Sequence, residues 1–295
     1  MILSPMLANP LAIEDISKKA KGYWMEPKLD GIRCVANWKG EMWSRSAKTN
    51  LSARVPHLPE AVLQLDLPQG VWLDGELGYV GPWGGVSGWP IVDFNRTVRV
   101  TGSGVDEAIR KQVLDQFMGR MKFFVFDYLL PDKAAQSQAF RSGVVDGLLS
   151  DFMTIGGSHV VAVPQQDGWN EEIYDQYVLA GGEGVILKNP SGFYIPGKRP
   201  TKTWYKIKKF DTFDGVICED YDPGQGKYEG QVGAIVVRHP EGFDVRASGM
   251  TDAVRLDMTK NWSKYQLKMV EIKYFGLTAG TPRHPQFLRM RPDLD

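Results

Sequence analysis

The residue pattern predicts an α+β fold in two parts, and three observations carry that expectation. Short apolar runs at 33–38, 71–77, 122–130 and 184–188, bounded by Gly, Asp or Pro, have the length and composition of strands. Stretches at 54–65, 105–118, 136–149 and 171–180 have helical length and periodicity but do not alternate regularly with the strands. From Phe213 onward the pattern becomes strand, turn, strand, with Gly and Pro at the turns.

Taken in chain order, each element has a local reason. Asp30-Gly31 and Asp74-Gly75 read as hairpin turns, because Asp-Gly supplies the positive backbone angles such turns need. Ser44 to Thr49 reads as a polar, hairpin-like connection, and Phe124-Val125-Phe126-Asp127-Tyr128-Leu129 as a core strand. The stretch from Gly84 to Gly104 reads as a loop. Near Lys209-Phe210-Asp211 a basic run gives way to Asp211, Asp214, Glu219, Asp220 and Asp222. A chain of 295 residues is long for one core, so the expected division is 1–209 and 210–295. The second part, all short strands and turns, reads as a small all-β barrel of the OB type.

Composition narrows the classes. Hydrophobic content of 43% and charged content of 24% are those of an ordinary globular protein. Net charge is zero, so any phosphate-binding surface must be local. The N-terminal residues do not form a signal peptide, and no apolar stretch approaches membrane-spanning length. Cys34 and Cys218 give neither a disulfide framework nor a metal spacing, and the expected location is the cytoplasm. His57, His159, His239 and His284 form no zinc or triad spacing. Gly192-x4-Gly197-Lys198 imitates a phosphate-binding loop, but Arg199 stands where Ser or Thr is required, and Pro196 and Pro200 oppose a following helix.

Five clusters remain. Glu26, Lys28, Asp30 and Arg33 fall within eight residues; alone, this K-x-D-G-x-R reads mostly as a turn with solvated cations. A lysine has a pKa of ~10.4, so a nucleophilic role for Lys28 requires burial or cationic neighbours. The others are the 44–49 segment with Arg45, Asp74-Gly75-Glu76, the FVFDYL strand, and EGVILK followed by WYKIK. From Lys188 to Lys209, both included, there are seven basic residues and no acidic one. In a strand Lys206 and Lys208 share one face, a poor core and a good phosphate clamp; Glu183, Val185 and Leu187 should likewise share one.

In this order the clusters resemble the covalent nucleotidyltransferase superfamily, most closely the short ATP-dependent DNA ligases of tailed phages. KLDGIR is similar to motif I, FVFDYL to motif III, EGVILK to motif IV, WYKIK to motif V, and RHPQFLRMR (283–291) to motif VI. The 93–104 stretch is similar to an insertion of phage ligases. The resemblance implies ATP as AMP donor, with magnesium or manganese, and nicked duplex DNA as partner of a monomeric enzyme. Lys28 would attack the α-phosphate, with Lys206 and Lys208 stabilising charge on it. Glu76 and Glu183 would address ribose or metal, while Phe126 and Ile186 would sandwich the base. Glu26 would read the adenine amine, which tilts the nucleotide from GTP to ATP. Lys188 would join this pocket, and Arg33 and Arg45 would meet ribose or the nick 5′-phosphate. Arg283 and Arg291 would orient the leaving pyrophosphate, and the barrel would swing about a hinge at 210–213. With Lys28 so near Met1, DNA would be held without an N-terminal DNA-binding domain. The alternatives are an RNA ligase, an mRNA-capping guanylyltransferase, or a non-catalytic nucleic-acid binder; an NAD-dependent ligase would need modules this pattern lacks.

Overall fold

A computed structural model describes residues 2–130, 136–150, 159–278 and 280–294, and it divides into compact units Met1–Lys208 and Lys209–Asp295. The first unit contains strands β1 (Asn9–Pro10), β2 (Trp24–Pro27), β3 (Ile32–Asn37), β4 (Met42–Ser44), β5 (Trp72–Val86), β6 (Trp89–Val92), β7 (Met121–Leu129), β8 (Val160–Ala162), β9 (Gly184–Lys188) and β10 (Trp204–Lys208). Its helices are α1 (Ile16–Lys19), α2 (His57–Leu63), α3 (Phe94–Thr101), α4 (Glu107–Phe117), α5 (Gln138–Ser150) and α6 (Glu171–Leu179).

Two sheets organise this unit. One is four-stranded, in the order β1-β10-β9-β2; the other runs β4-β3-β5-β7-β8, with β6 hairpinned onto β5. Each hides one face. Val185, Leu187 and Ile207 of the smaller sheet pack with Tyr174 and Tyr177 of α6. Cys34, Ala36, Leu73, Phe123 and Val125 of the larger sheet pack with Leu58 and Val62 of α2 and Val145 and Leu149 of α5. The faces left over carry the polar chemistry described below.

Three local expectations fail. Asp30-Gly31 is not a hairpin turn, because β2 pairs with β9 whereas β3 pairs with β4 and β5. The segment crosses from one sheet to the other, and a Cβ at Gly31 would lie 2.2 Å from the Leu77 carbonyl oxygen. Glycine is required there for close backbone approach. Asp74-Gly75 is no turn either: it lies inside β5, beside the point where β7 carries one extra residue. The expected loop from 84 to 104 contains the end of the β5–β6 hairpin and α3, whose first turn is capped when Asp93 Oδ1 accepts the Arg96 amide hydrogen at 3.0 Å.

The second unit contains β11 (Asp211–Pro223), β12 (Val232–Arg238), β13 (Asp244–Ala247), α7 (Asp252–Lys260), β14 (Met269–Tyr274), β15 (Leu277–Thr278), β16 (Thr281–Pro282) and β17 (Gln286–Met290). Five strands form one sheet in the order β13-β12-β11-β14-β17 around Ile217, Val232, Ile235, Val237, Val270 and Ile272. Helix α7, which the strand pattern does not announce, adds Met258 to that core. Asp211, Thr212 and Phe213 already pair with β14, so the expected hinge at 210–213 is corrected: those three residues belong to a ladder. No helix among the described residues is long and apolar enough to cross a membrane.

Candidate active site

The uncovered faces of the two sheets border a cleft of about 480 Å³, counted with its open mouth. The larger sheet contributes Arg33, Glu76 and Phe126; the smaller contributes Glu26, Pro27, Ile186, Lys188 and Trp204; the crossing segment contributes Lys28 and Leu29. The size suits a nucleotide-scale ligand.

Lys28 sits where the crossing leaves β2. Its amide hydrogen bonds to the Gly184 carbonyl at 2.8 Å, which continues the β2–β9 ladder by one residue and brings Lys28 beside Glu183. The Lys28 ammonium donates to Glu183 Oε2, and the Lys208 ammonium pairs with Oε1 of the same carboxylate. Glu183 does not share the face of Val185 and Leu187, as strict alternation would have it. Gly184 has φ +137°, and a Cβ there would lie 2.1 Å from the Ile207 carbonyl oxygen, so the chain twists and Glu183 turns toward the lysines. Burial disfavours its ionised form, but Lys28 and Lys208 outweigh burial and hold its carboxyl below the ordinary value. The ring of cations expected around Lys28 thus has a carboxylate at its centre.

Lys206 pairs in register with Ile186, so both side chains project from the cleft face. Its ammonium has no hydrogen-bond or ion-pair partner among the described residues. Burial, then Lys208, Arg199 and Lys28, pull its pKa below the ordinary lysine value.

Deeper in the cleft a second Lys–Glu pair is nearly sealed from solvent. Lys188 Nζ lies 2.8 Å from Glu26 Oε2, with the side chains 1% and 5% exposed. Lys188 also donates to the Phe126 carbonyl at 2.7 Å, and Gln165 donates to the other Glu26 oxygen at 3.2 Å. Burial pushes the Glu26 pKa up to about 7 despite Lys188. Phe126 is the extra residue of the β7 bulge, without a partner on β5, which re-aims its ring into the cleft opposite the sheet that carries Ile186.

Arg33 lines the cleft, but its guanidinium is fixed. Nε and Nη2 donate to Asp74 at 2.7 and 2.6 Å, Nη2 also reaches the Met6 carbonyl at 3.1 Å, and the group lies 4.5 Å above the Phe126 ring. Tyr194 donates to the same fully buried Asp74 at 2.5 Å. The expected phosphate contact from Arg33 is therefore met here by a carboxylate. Glu76 is the reverse case: its carboxylate has no hydrogen-bond or ion-pair partner among the described residues. Burial raises its pKa to about 8, against Arg33 and Lys28 and with help from Glu183 and Asp74.

Lys28, Glu26, Arg33, Glu76, Phe126, Ile186 and Lys188 thus border one cleft, with Glu183, Lys206 and Lys208 beside it. Arg45 does not line it; it is exposed beyond β4. Arg283 and Arg291 belong to the second unit, where Arg291 bonds Asp214 at 2.8 and 3.0 Å and Asp293 at 2.9 to 3.2 Å. Sequence reasoning missed Trp204 and Gln165. Alternation was a usable signal for Trp204, two residues before Lys206 on the same face; nothing local marks Gln165.

Two facing sheets, a lysine at the mouth of the cleft and a basic strand beside it define a nucleotidyltransferase-type domain, here followed by an OB-type domain. The sequence model of the ATP dependent DNA ligase domain matches residues 5–208, and that of the DNA ligase OB-like domain matches residues 223–291. The chain belongs to the ATP-dependent DNA ligase family. It is 27% identical to a DNA ligase of Archaeoglobus fulgidus over 73% of this chain and 37% of that protein. With the DNA ligase of Enterobacteria phage T6 it shares 26% identity over 92% of this chain and 63% of that protein. It therefore spans less than two thirds of the length of either relative. Among solved structures, one from a study of DNA binding on a minimal scaffold by Lig E DNA ligases is 25% identical, with TM-score 0.68, over 99% of this chain and all of that one.

Proposed function

We propose that this chain is an ATP-dependent DNA ligase that seals nicks in duplex DNA through a lysyl-AMP intermediate. The observation that carries this reading is Lys28, held at the mouth of a nucleotide-sized cleft with Lys206 and Lys208 beside it. The Lys28 amine attacks the α-phosphorus of ATP, the bond to pyrophosphate breaks, and a phosphoramidate forms as lysine loses its proton. Lys206 and Lys208 offset charge on the α-phosphate. A 5′-phosphate oxygen at the nick then attacks the same phosphorus and displaces Lys28. The 3′-hydroxyl finally attacks the DNA phosphate, AMP leaves, and the strand is sealed.

Within this reading Phe126 and Ile186 flank the base, and Glu26, oriented by Lys188, accepts from the adenine amine. Arg45 serves the nick phosphate, and Arg33 holds the Phe126 wall and reaches ribose only if it leaves Asp74. Arg283 and Arg291 keep the role the resemblance implies, orienting pyrophosphate. The working domains are 1–209 and 210–295, in a monomer acting in the cytoplasm.

Glu76 and Glu183 would hold magnesium or manganese, and the residues fit. Glu76 is a half-buried carboxylate with no hydrogen-bond or ion-pair partner among the described residues, and a divalent cation would favour its ionised form. Among the described residues no three His, Cys, Asp or Glu cluster as a metal site. Two carboxylates supplemented by water and phosphate oxygens suit magnesium. When bound, the ion supplies neutralisation of phosphate charge.

Support for a DNA partner comes from the turn between β9 and β10. Lys198, Arg199 and Lys202 are exposed there while the backbone is pinned: Leu7 donates to the Lys198 carbonyl at 2.9 Å, Asn9 to the Pro200 carbonyl at 2.7 Å, and Tyr23 to the Lys202 carbonyl at 2.7 Å. A fixed basic turn suits a phosphodiester backbone.

Incubation with magnesium and ATP labelled at the α-phosphate, then denaturing electrophoresis, tests the reading. Wild-type protein should carry label, and Lys28→Ala none; label surviving that change sinks the mechanism. Chasing the labelled protein with nicked DNA, nicked RNA or triphosphate-ended RNA chooses the acceptor, and transfer only to the last two overturns the DNA assignment.

A further inference from the structure

We propose that Gln138 and Arg141, on the first turn of α5, are positioning residues that set the gap of the base slot. The inference rests on the reading that the cleft takes the adenine of ATP.

The walls of the slot come from different sheets: Phe126 rides on β7, and Trp204 and Ile186 ride on β10 and β9. Facing walls need a tie to keep their spacing, and one turn of α5 supplies it. Gln138 is fully buried, and its Oε1 accepts two hydrogen bonds, from the Trp204 indole N–H at 2.7 Å and from Arg141 Nη2 at 2.8 Å. Arg141 in turn donates to both oxygens of Asp127, the residue after Phe126, at 2.7 and 3.3 Å. The same turn is stitched to the β9–β10 connection, where the Gln138 and Ala139 amides donate to the Gly192 and Pro190 carbonyls at 2.8 and 2.9 Å. Trp204 and Phe126 meet edge to face at 6.0 Å between ring centroids.

None of Gln138, Arg141 and Asp127 lines the cleft, so each acts through another side chain. Burying an Arg–Asp pair with a glutamine is a poor way to gain stability, since an apolar cluster of equal volume does as well or better. What such a network adds is fixed geometry: each bond has one length and one direction, so Trp204 cannot slide relative to Phe126.

The test is self-adenylation kinetics of the full chain, with active sites titrated so that only competent protein is counted. Gln138→Met keeps the volume and removes the acceptor; Arg141→Lys keeps the charge and loses the fork that ties Gln138 to Asp127. Each should raise the half-saturating ATP concentration about tenfold, the scale of one buried hydrogen bond, and leave the maximal rate within about twofold. The double variant should go little beyond either single one, because each cuts the same chain of bonds between Trp204 and Asp127. Gln138→Glu, which still accepts from Trp204 and Arg141, should restore half-saturation near wild type. An unchanged half-saturation in Gln138→Met, with or without a lowered Tm, overturns the proposal, as does full additivity of the pair. If wild-type protein takes no label from ATP, the nucleotide reading itself falls and this inference with it.

Discussion

One cleft holds two lysine–glutamate pairs, and burial separates their properties. At the mouth, Lys28 and Glu183 are 20% and 13% exposed, and Lys208, 22% exposed, shares the carboxylate. At the floor, Lys188 and Glu26 are 1% and 5% exposed. The mouth carboxylate, with two cations against it, is held below its ordinary pKa, whereas burial at the floor outweighs one cation and lifts Glu26 to about 7. A partly exposed pair can open and be re-solvated as a phosphate arrives; a sealed one cannot without leaving a charge in a poor solvent. The same two residue types thus make a pair that can open in one place and a rigid floor in the other.

The comparison can be broken most sharply at Lys28. Lys28→Ala should abolish covalent labelling while changing unfolding free energy by no more than about 1 kcal/mol, because a partly exposed ion pair contributes little. A large fall in urea stability would make Lys28 a structural residue instead. Lys188→Met should do the opposite, lowering stability by about 3–5 kcal/mol through the uncompensated Glu26. Adding Glu26→Gln in that background should recover part of the loss in urea melts, and no recovery would separate the two side chains energetically.

Lys208→Met should slow self-adenylation by about a hundredfold at saturating ATP, the usual scale for removing one charge-stabilising donor. A change confined to ATP affinity would place Lys208 in binding alone. The smallest expected effect is in pH dependence. Glu26 and Glu76 ionise near 7 and 8 in the folded protein, against 4.5 without its surroundings. Folding therefore gains from their protonation: this contribution is complete below pH 4.5 and is lost as pH rises through 7 and then 8. Tm of the nucleotide-free protein should fall by a few degrees between about pH 5 and pH 8.5, and Glu26→Gln and Glu76→Gln should each flatten that fall. Parallel wild-type and variant profiles would exclude these carboxylates as its source.

Much of the site was legible because its parts are local. K-x-D-G-x-R, EGVILK and WYKIK each keep their chemistry within a few residues, and the alternation of β10 alone places Lys206 and Lys208 together. Helices α4, α5 and α6 were legible in length and periodicity, whereas eight-residue α3 was too short and too polar to register. What failed was everything that depends on a neighbour distant in sequence. Asp-Gly at 30–31 and 74–75 signals a turn by local preference, yet both glycines serve close approach of another strand. Arg33 reads as a phosphate ligand until Asp74, 41 residues away, occupies it.

By itself the sequence determined which groups are available: a candidate nucleophile, two lysines on one face of a strand, the carboxylates Glu76 and Glu183, and the change of composition near residue 209. Only the tertiary structure decided how those groups are poised. Lys28 meets Glu183 from 155 residues away, Gln138 meets Trp204 from 66, and Phe126 enters the cleft because β7 carries one residue more than β5 allows. The reason is physical: charge state and direction depend on burial and on partners, and both arise only when the two sheets face each other.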